Sequence, residues 1–276
     1  MRRAVMRWSA GVVAILASVV VFLVPFAFIV TTAAMDAQQA GEFTLAWPRT
    51  FQFFENLVTV LQTRDFILVI AFVNSTVLTV ASVTAMVILG AMVAFVLQRR
   101  RTRLTGLVNF LVLSGLIIPP AVVPTVWVLQ SLGLFGGMPG LILVEIAFGL
   151  SFTIMLFRAF VATIPRELDE AALIDGAGPL RLFFGIVLPL LRPVTVTVIV
   201  VQSVAVFNDF TNPLYFAPGD QNATVQLTLF NFQSQNLTSY NLLFMDILLI
   251  TIPPLIMYLF FNRQIVAGMT SGAVKG

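Results

Sequence analysis

Between Ile67 and Leu97 no side chain carries a charge. A helix rises about 1.5 Å per residue, so about 20 apolar residues cross the hydrocarbon core of a bilayer, and this run is long enough. Apolar residues make up 59% of the chain and charged residues only 10%, with a mean hydropathy of +1.01, far from the balance of a soluble protein. The chain therefore reads as an all-α integral membrane protein. Its apolar runs place spans at about 9–32, 67–97, 107–129, 141–163, 193–216 and 241–261, in one transmembrane domain covering 1–276.

The segments between these runs differ in charge. Arg2, Arg3 and Arg7 precede the first run, which can be a signal peptide or a retained helix; its apolar length favours the helix. Residues 33–66 carry Asp36, Glu42, Glu55 and Asp65 and form an exterior loop, whose Trp47, Phe51, Phe53 and Phe54 suit the headgroup level. Arg99, Arg100, Arg101 and Arg103 mark a cytoplasmic turn. Pro119, Pro120 and Pro124 predict a kink or break in the third run, and Gly133 to Gly140 a short exterior turn. Residues 217–240, rich in Asn, Gln and Thr, form a second exterior loop, and Pro253-Pro254 predicts a bend in the last run. Of the fifteen Lys and Arg residues only Arg49 and Arg64 fall in exterior segments, so both termini are expected in the cytoplasm.

Composition also excludes chemistry. The pI of 9.9 comes from few basic residues at the ends of apolar runs, which argues against nucleic acid as a partner. With no Cys and no His, disulfides, thiolate chemistry and imidazole ligands are absent. The single lysine is Lys275, so no phosphate-binding GxxxxGK[ST] loop exists and any nucleotide hydrolysis belongs to another chain.

The segment 164–190 is the longest cytoplasmic loop. Pro165 suits the first turn of a short helix, and Glu167, Asp169 and Glu170 complement its dipole. Gly176 can close it in the left-handed conformation, and Pro179 can open a second helix after Gly178. Ala171, Ala172 and Gly176 have almost no side chain, so a partner could approach the backbone, and Leu168 with the two alanines makes an apolar stripe that could seat in a groove. An interfacial helix on lipid headgroups is the plainer alternative.

Polar groups also fall inside the apolar runs. Asp209 lies about 25 Å along the fifth helix from Arg192, and Asp246 about 24 Å from Asn262 on the sixth. With Asn74, Glu145 and Asn208 they reach a similar outer level, either as the rim of a substrate path facing a delivery protein or as ordinary helix-end solvation. For Asn208 and Asp209 the nearby Pro213 favours a broken helix end lining a polar cavity.

Glu170, Ala171, Ala172, Gly176, Ile186, Leu188 and Pro189 have the spacing of the cytoplasmic signature of permease subunits of ATP-binding-cassette importers. Asn74-Ser75, Ile118-Pro119-Pro120, Leu132-Gly133-Leu134, Ile164 to Leu168, Asn208 to Phe210 with Pro213-Leu214, and the tail from Gly268 extend the likeness. The chain resembles the shorter, six-span permease of sugar-type importers, with their MetI-like fold; Phe207 stands where that family usually has Trp, and the first fifty residues match poorly. The resemblance implies a multi-pass protein of the bacterial cytoplasmic membrane and an importer for a carbohydrate. Its partners would be a second related permease, an ATPase dimer carrying ATP and Mg, and an extracytoplasmic solute-binding protein. It assigns Glu170, Ala171, Ala172, Asp175, Gly176, Ala177, Gly178 and Pro189 to the ATPase contact, with no catalytic group, cofactor or metal on this chain. An ion-coupled transporter or channel is the rival reading, weakened by acids at the rims and the lack of histidine. A membrane scaffold for an ATPase is the other, and a solute response of the ATPase would separate it from an importer.

Overall fold

The computed structural model describes residues 11–12, 15, 17–100, 102–233 and 238–271, the stretch 263–271 by its backbone alone. Arg2, Arg3, Arg7, Arg101 and Lys275, and the tail beyond 271, lie outside the described residues. The described chain is helical: α1 (Val19–Ala33), α2 (Ala37–Ala40), α3 (Phe53–Gln62), α4 (Ile67–Arg99), α5 (Arg103–Ile117), α6 (Val122–Ser131), α7 (Met138–Val161), α8 (Glu167–Ile174), α9 (Pro179–Leu190), α10 (Arg192–Phe207), α11 (Thr211–Phe216), α12 (Val225–Thr228) and α13 (Tyr240–Ser271).

Among the described residues, α4, α7 and the stretch Tyr240–Asn262 of α13 are each long and apolar enough to cross a membrane. The pair α9 and α10 adds a fourth apolar stretch, bent by 77° at Leu191. α1, α5 and α6 are shorter apolar helices. The expected third span is broken: α5 ends when Ile118 turns extended, because Pro119 and Pro120 lack N–H donors and crowd the preceding residue. The expected fifth span, 193–216, is interrupted as well. Asp209 Oδ1 accepts the backbone N–H groups of Thr211 at 2.7 Å and Asn212 at 3.3 Å, an Asx turn that ends α10 and starts α11. The last helix outruns its apolar stretch, since Asn262 and Gln264 are compatible with a helix and only hydropathy changes there.

The chain divides into two compact units. The first comprises Met1–Val69 and Gln226–Ile252. Within it Asn56, on α3, donates to the carbonyls of Ala33 and Met35, both at 2.9 Å, and accepts from Asn241 at 2.9 Å, so one amide joins α1, α3 and α13. Gln39 bonds both Trp47 O and Arg49 N, closing the loop after α2. Trp47, Phe51 and Phe54 remain exposed.

The second unit comprises Ile70–Val225 and Pro253–Gly276. α7 is its centre, packing against α5, α10 and α11. Backbones approach closely there because small residues meet large ones, as is usual where no hydrophobic force drives helices together in lipid. A Cβ on Gly90 would lie 2.5 Å from Thr153 Cγ2, and one on Gly149 2.6 Å from the Met86 sulfur. Gln202 of α10 clasps the same place, donating to Gly149 O at 2.9 Å and Thr153 Oγ1 at 2.8 Å. The core runs from Leu78 and Met86 through Ile154 and Phe157 to Leu182, Phe183 and Val198.

Candidate functional site

The segment after α7 folds as a bent pair of helices. Pro165 stays outside α8, which starts at Glu167 with Arg166 as its cap, and the Ile164 carbonyl before it accepts from Arg99 Nη2 at 3.0 Å. Glu167, Asp169 and Glu170 fill the first turn, as the dipole favours. At the other end the Ala177 N–H reaches Ala172 O at 2.9 Å and the Gly176 N–H reaches Leu173 O at 3.1 Å. With Gly176 at φ 77° this is a Schellman stop. Gly178 is extended and Pro179 opens α9.

Two arginines fasten this bend to the end of α4. Arg99 Nε stands 2.6 Å from Asp169 Oδ2, and Arg166 Nη2 donates to Gln98 O at 3.3 Å. The Arg99 guanidinium also lies 6.0 Å from the centre of the Phe95 ring. Local sequence counted Asp169 only as a dipole partner; its ion pair depends on a residue of another helix.

The apolar stripe divides. Ala172, expected to face a partner, is 5% exposed and packs into the chain's own core, since it shares the inward face of α8 with Asp169. Its small side chain serves the seat of the bend on its own unit. Leu168, Glu170, Ala171, Leu173, Asp175, Gly176, Gly178 and Pro189 are exposed, Ile174 is 86% exposed, and Ala177 is half-buried. Open space surrounds Gly176, where a Cβ would meet nothing within 4 Å. The uncovered side of α8 is thus a small apolar surface with acids at its start.

The polar residues of the apolar runs separate into holding groups and one cluster. Asn74 donates to the carbonyls of Gln221 at 3.0 Å and Ala223 at 2.9 Å, and its neighbour Ser75 accepts from Val225 N at 3.0 Å, so both pin the loop before α12. Asp246 is 0% exposed and accepts from Thr228 Oγ1 at 2.9 Å; helix-end solvation does not describe it. Glu145 does not begin its helix either. α7 starts at Met138, capped by Gly137 with Pro139 in the first turn, which leaves Glu145 two turns inside and 5% exposed. Its Oε1 accepts from Asn212 Nδ2 at 3.2 Å, and Asn212 is held by Asp209. Glu145, Asp209 and Asn212 therefore stand together around the break between α10 and α11. Asn208 turns back to bond Val204 O at 2.9 Å. Asn212 went unnoticed in the sequence, although its place beside Pro213 after Asn208-Asp209 was the available signal.

No group of three or more His, Cys, Asp and Glu residues able to hold a metal occurs among the described residues. A cavity of about 560 Å³ opens at the α5–α6 break, lined by Ser114 to Ala121 together with Ala147 and Phe148.

The family description "Binding-protein-dependent transport system inner membrane component" matches residues 86–270. The chain is 34% identical over 209 residues to the melibiose/raffinose/stachyose import permease protein MelC of Bacillus subtilis, covering 75% of this chain and 76% of that one. It is 33% identical to the diacetylchitobiose uptake system permease protein NgcG of Streptomyces coelicolor, over 74% of this chain and 69% of the other. Among solved structures, a bacterial ABC transporter involved in the import of the acidic polysaccharide alginate superposes with a TM-score of 0.81 at 19% identity, over 95% of this chain and 96% of that one. A second, the bacterial alginate transporter in complex with an alginate pentasaccharide-bound periplasmic protein, gives a TM-score of 0.70 at 15% identity, over 95% and 94% of the two chains.

Proposed function

Since this chain belongs to the family of binding-protein-dependent transport system inner membrane components, we propose that it is the membrane-spanning permease subunit of an ATP-driven carbohydrate importer. The observation that carries the reading is the bend at α8: pinned to α4 by Arg99–Asp169, closed at Gly176, and bare on its other side. A rigid element with one face bound and one uncovered can pass a push from a partner to the spans behind it. The names of the two relatives, one an import permease for melibiose, raffinose and stachyose and the other a permease of diacetylchitobiose uptake, support a sugar as the cargo.

In this reading the chain makes six spans with both termini in the cytoplasm of a bacterial cell, the broken pairs α5–α6 and α10–α11 each count as a single crossing, and α9 belongs to the cytoplasmic loop. An ATPase dimer with ATP and Mg docks on Leu168, Glu170, Ala171, Leu173 and Ile174, while Gly176 and Gly178 let it approach the backbone. A second permease and an extracytoplasmic solute-binding protein complete the assembly. Closure of the ATPase pair moves the bend, and the spans rock between inward and outward openings. ATP and the loaded binding protein must each favour one opening, or binding could not shift the populations. Glu145, Asp209 and Asn212 line the cargo path in one opening, where the broken helix end supplies further polar groups.

The test is to purify the chain with its partners, identify the solute held by the binding protein, and measure ATP hydrolysis with and without it. Sugar-stimulated hydrolysis and uptake that needs the ATPase are expected. Uptake without an ATPase, or α8 accessible from outside the cell, would refute the reading.

A further inference from the structure

A groove separate from both sites above runs between α5 and α7, with a cavity of about 340 Å³. Its rim is made of donors: the Gln98 amide at the end of α4, the Asn109 amide on α5 and the Arg158 guanidinium on α7. Arg158 Nη1 donates to Asn109 Oδ1 at 2.6 Å, which fixes the guanidinium and leaves its other nitrogens and the Asn109 NH₂ without a partner among the described residues. No carboxylate stands within ion-pair distance of Arg158 there. Below the rim the walls are apolar, formed by Leu113, Ile154 and Met155. Leu113 and Ile154 each lie one turn deeper than the polar residue on their own helix, about 6 Å. The outer flank, Leu107, Phe110 and Leu111, is exposed and apolar.

We propose that this groove binds an anionic phospholipid. Its phosphate sits on Arg158, Asn109 and Gln98, and one acyl chain lies along Leu113, Ile154 and Met155. A lone cation among hydrocarbon is costly without an anion, and basic pockets between spans at the cytoplasmic level suit acidic headgroups. The change from donors to apolar walls within one turn matches the change from headgroup to acyl chain. A free phosphate would have no use for the walls, and a neutral sugar none for the unpaired charge. The leaflet assignment rests on the importer reading; the binding itself does not. Ala162, also on the groove, is only a few residues before α8, so a seated lipid braces the root of the bend.

The full chain with its co-purified partners is placed in phosphatidylcholine nanodiscs containing a trace of photoactivatable phosphatidylglycerol or, in a parallel arm, photoactivatable phosphatidylcholine. The glycerol probe is expected to cross-link to peptides spanning 109–113 and 154–159 about tenfold more than the choline probe, the worth of a charged hydrogen bond. Arg158→Gln should lower it to the choline level, Arg158→Lys should keep part of it, and Asn109→Ala, which preserves the charge, should lower it by about threefold. Equal labelling by the two probes, labelling indifferent to Arg158→Gln in a folded complex, displacement by inorganic phosphate, or cross-linking of the groove to the second permease would each overturn the proposal. Sugar uptake by the same complexes tests the importer reading separately.

Discussion

Removing Asp169 should release the bend at α8 from α4, and the structure sets how far. The side chains of Arg99 and Asp169 are 11% and 13% exposed, so the pair is close to buried. Breaking a buried pair by deleting one partner costs about 3–5 kcal/mol, mostly because the other charge is stranded. Arg99 keeps its bond to the Ile164 carbonyl, so the lower end, about 3 kcal/mol, applies to Asp169→Ala. At about 1.4 kcal/mol per factor of ten, the undocked population rises about 100-fold. The absence of cysteine allows a clean reporter: Ala172→Cys, on the buried face, reacts with maleimide only when α8 lifts away. Its labelling rate should rise about 100-fold on adding Asp169→Ala. Adding Arg99→Ala as well removes the stranded charge and leaves mainly the lost carbonyl bond, about 1 kcal/mol, so the double variant should label only about fivefold faster than the parent. A rate within twofold of the parent for Asp169→Ala, or a double variant as fast as or faster than the single one, would refute the docking argument.

Three other perturbations test separate parts of the structure. Gly176→Val forces a β-branched residue to φ 77°, costing at least about 1–2 kcal/mol, and places a side chain where the partner approaches, so it should abolish uptake while the protein still inserts. Gln202→Leu removes the clasp on Gly149 and Thr153; at about 0.6 kcal/mol per interhelical bond in a membrane it should cost about 1 kcal/mol, seen as a small fall in Tm of the purified complex. Asn56→Leu loses three buried hydrogen bonds and should cost about 3 kcal/mol, exposing the loop 34–52 to protease while the α8 reporter labels at its parent rate.

The helices were legible wherever neighbours in sequence decide the structure. A long apolar run, the Pro119-Pro120 break, the acidic first turn of α8, its glycine stop at Gly176 and the proline start at Pro179 all follow from interactions within a few residues. Helix ends were less legible, because hydropathy changes where the environment changes and caps act elsewhere: α7 begins at Gly137–Met138, not at Leu141, and α13 continues past Phe261.

What tertiary structure alone decided is which way the polar and small residues turn. Ala172 looks inward while Ile174 looks outward, although nothing local ranks the two faces of α8. Asp169 meets Arg99, Glu145 meets Asn212, Asn74 holds Gln221 and Ala223, and Arg158 rests on Asn109, each pair drawn from segments far apart in the chain. By itself the sequence determined that the chain is a set of apolar helices joined by a charged, bent loop, because caps, breaks and hydropathy act over a turn or two. Which side chains pair across the helices depends on packing, where a rotation of one helix by two residues, about 200°, exchanges its buried and exposed faces.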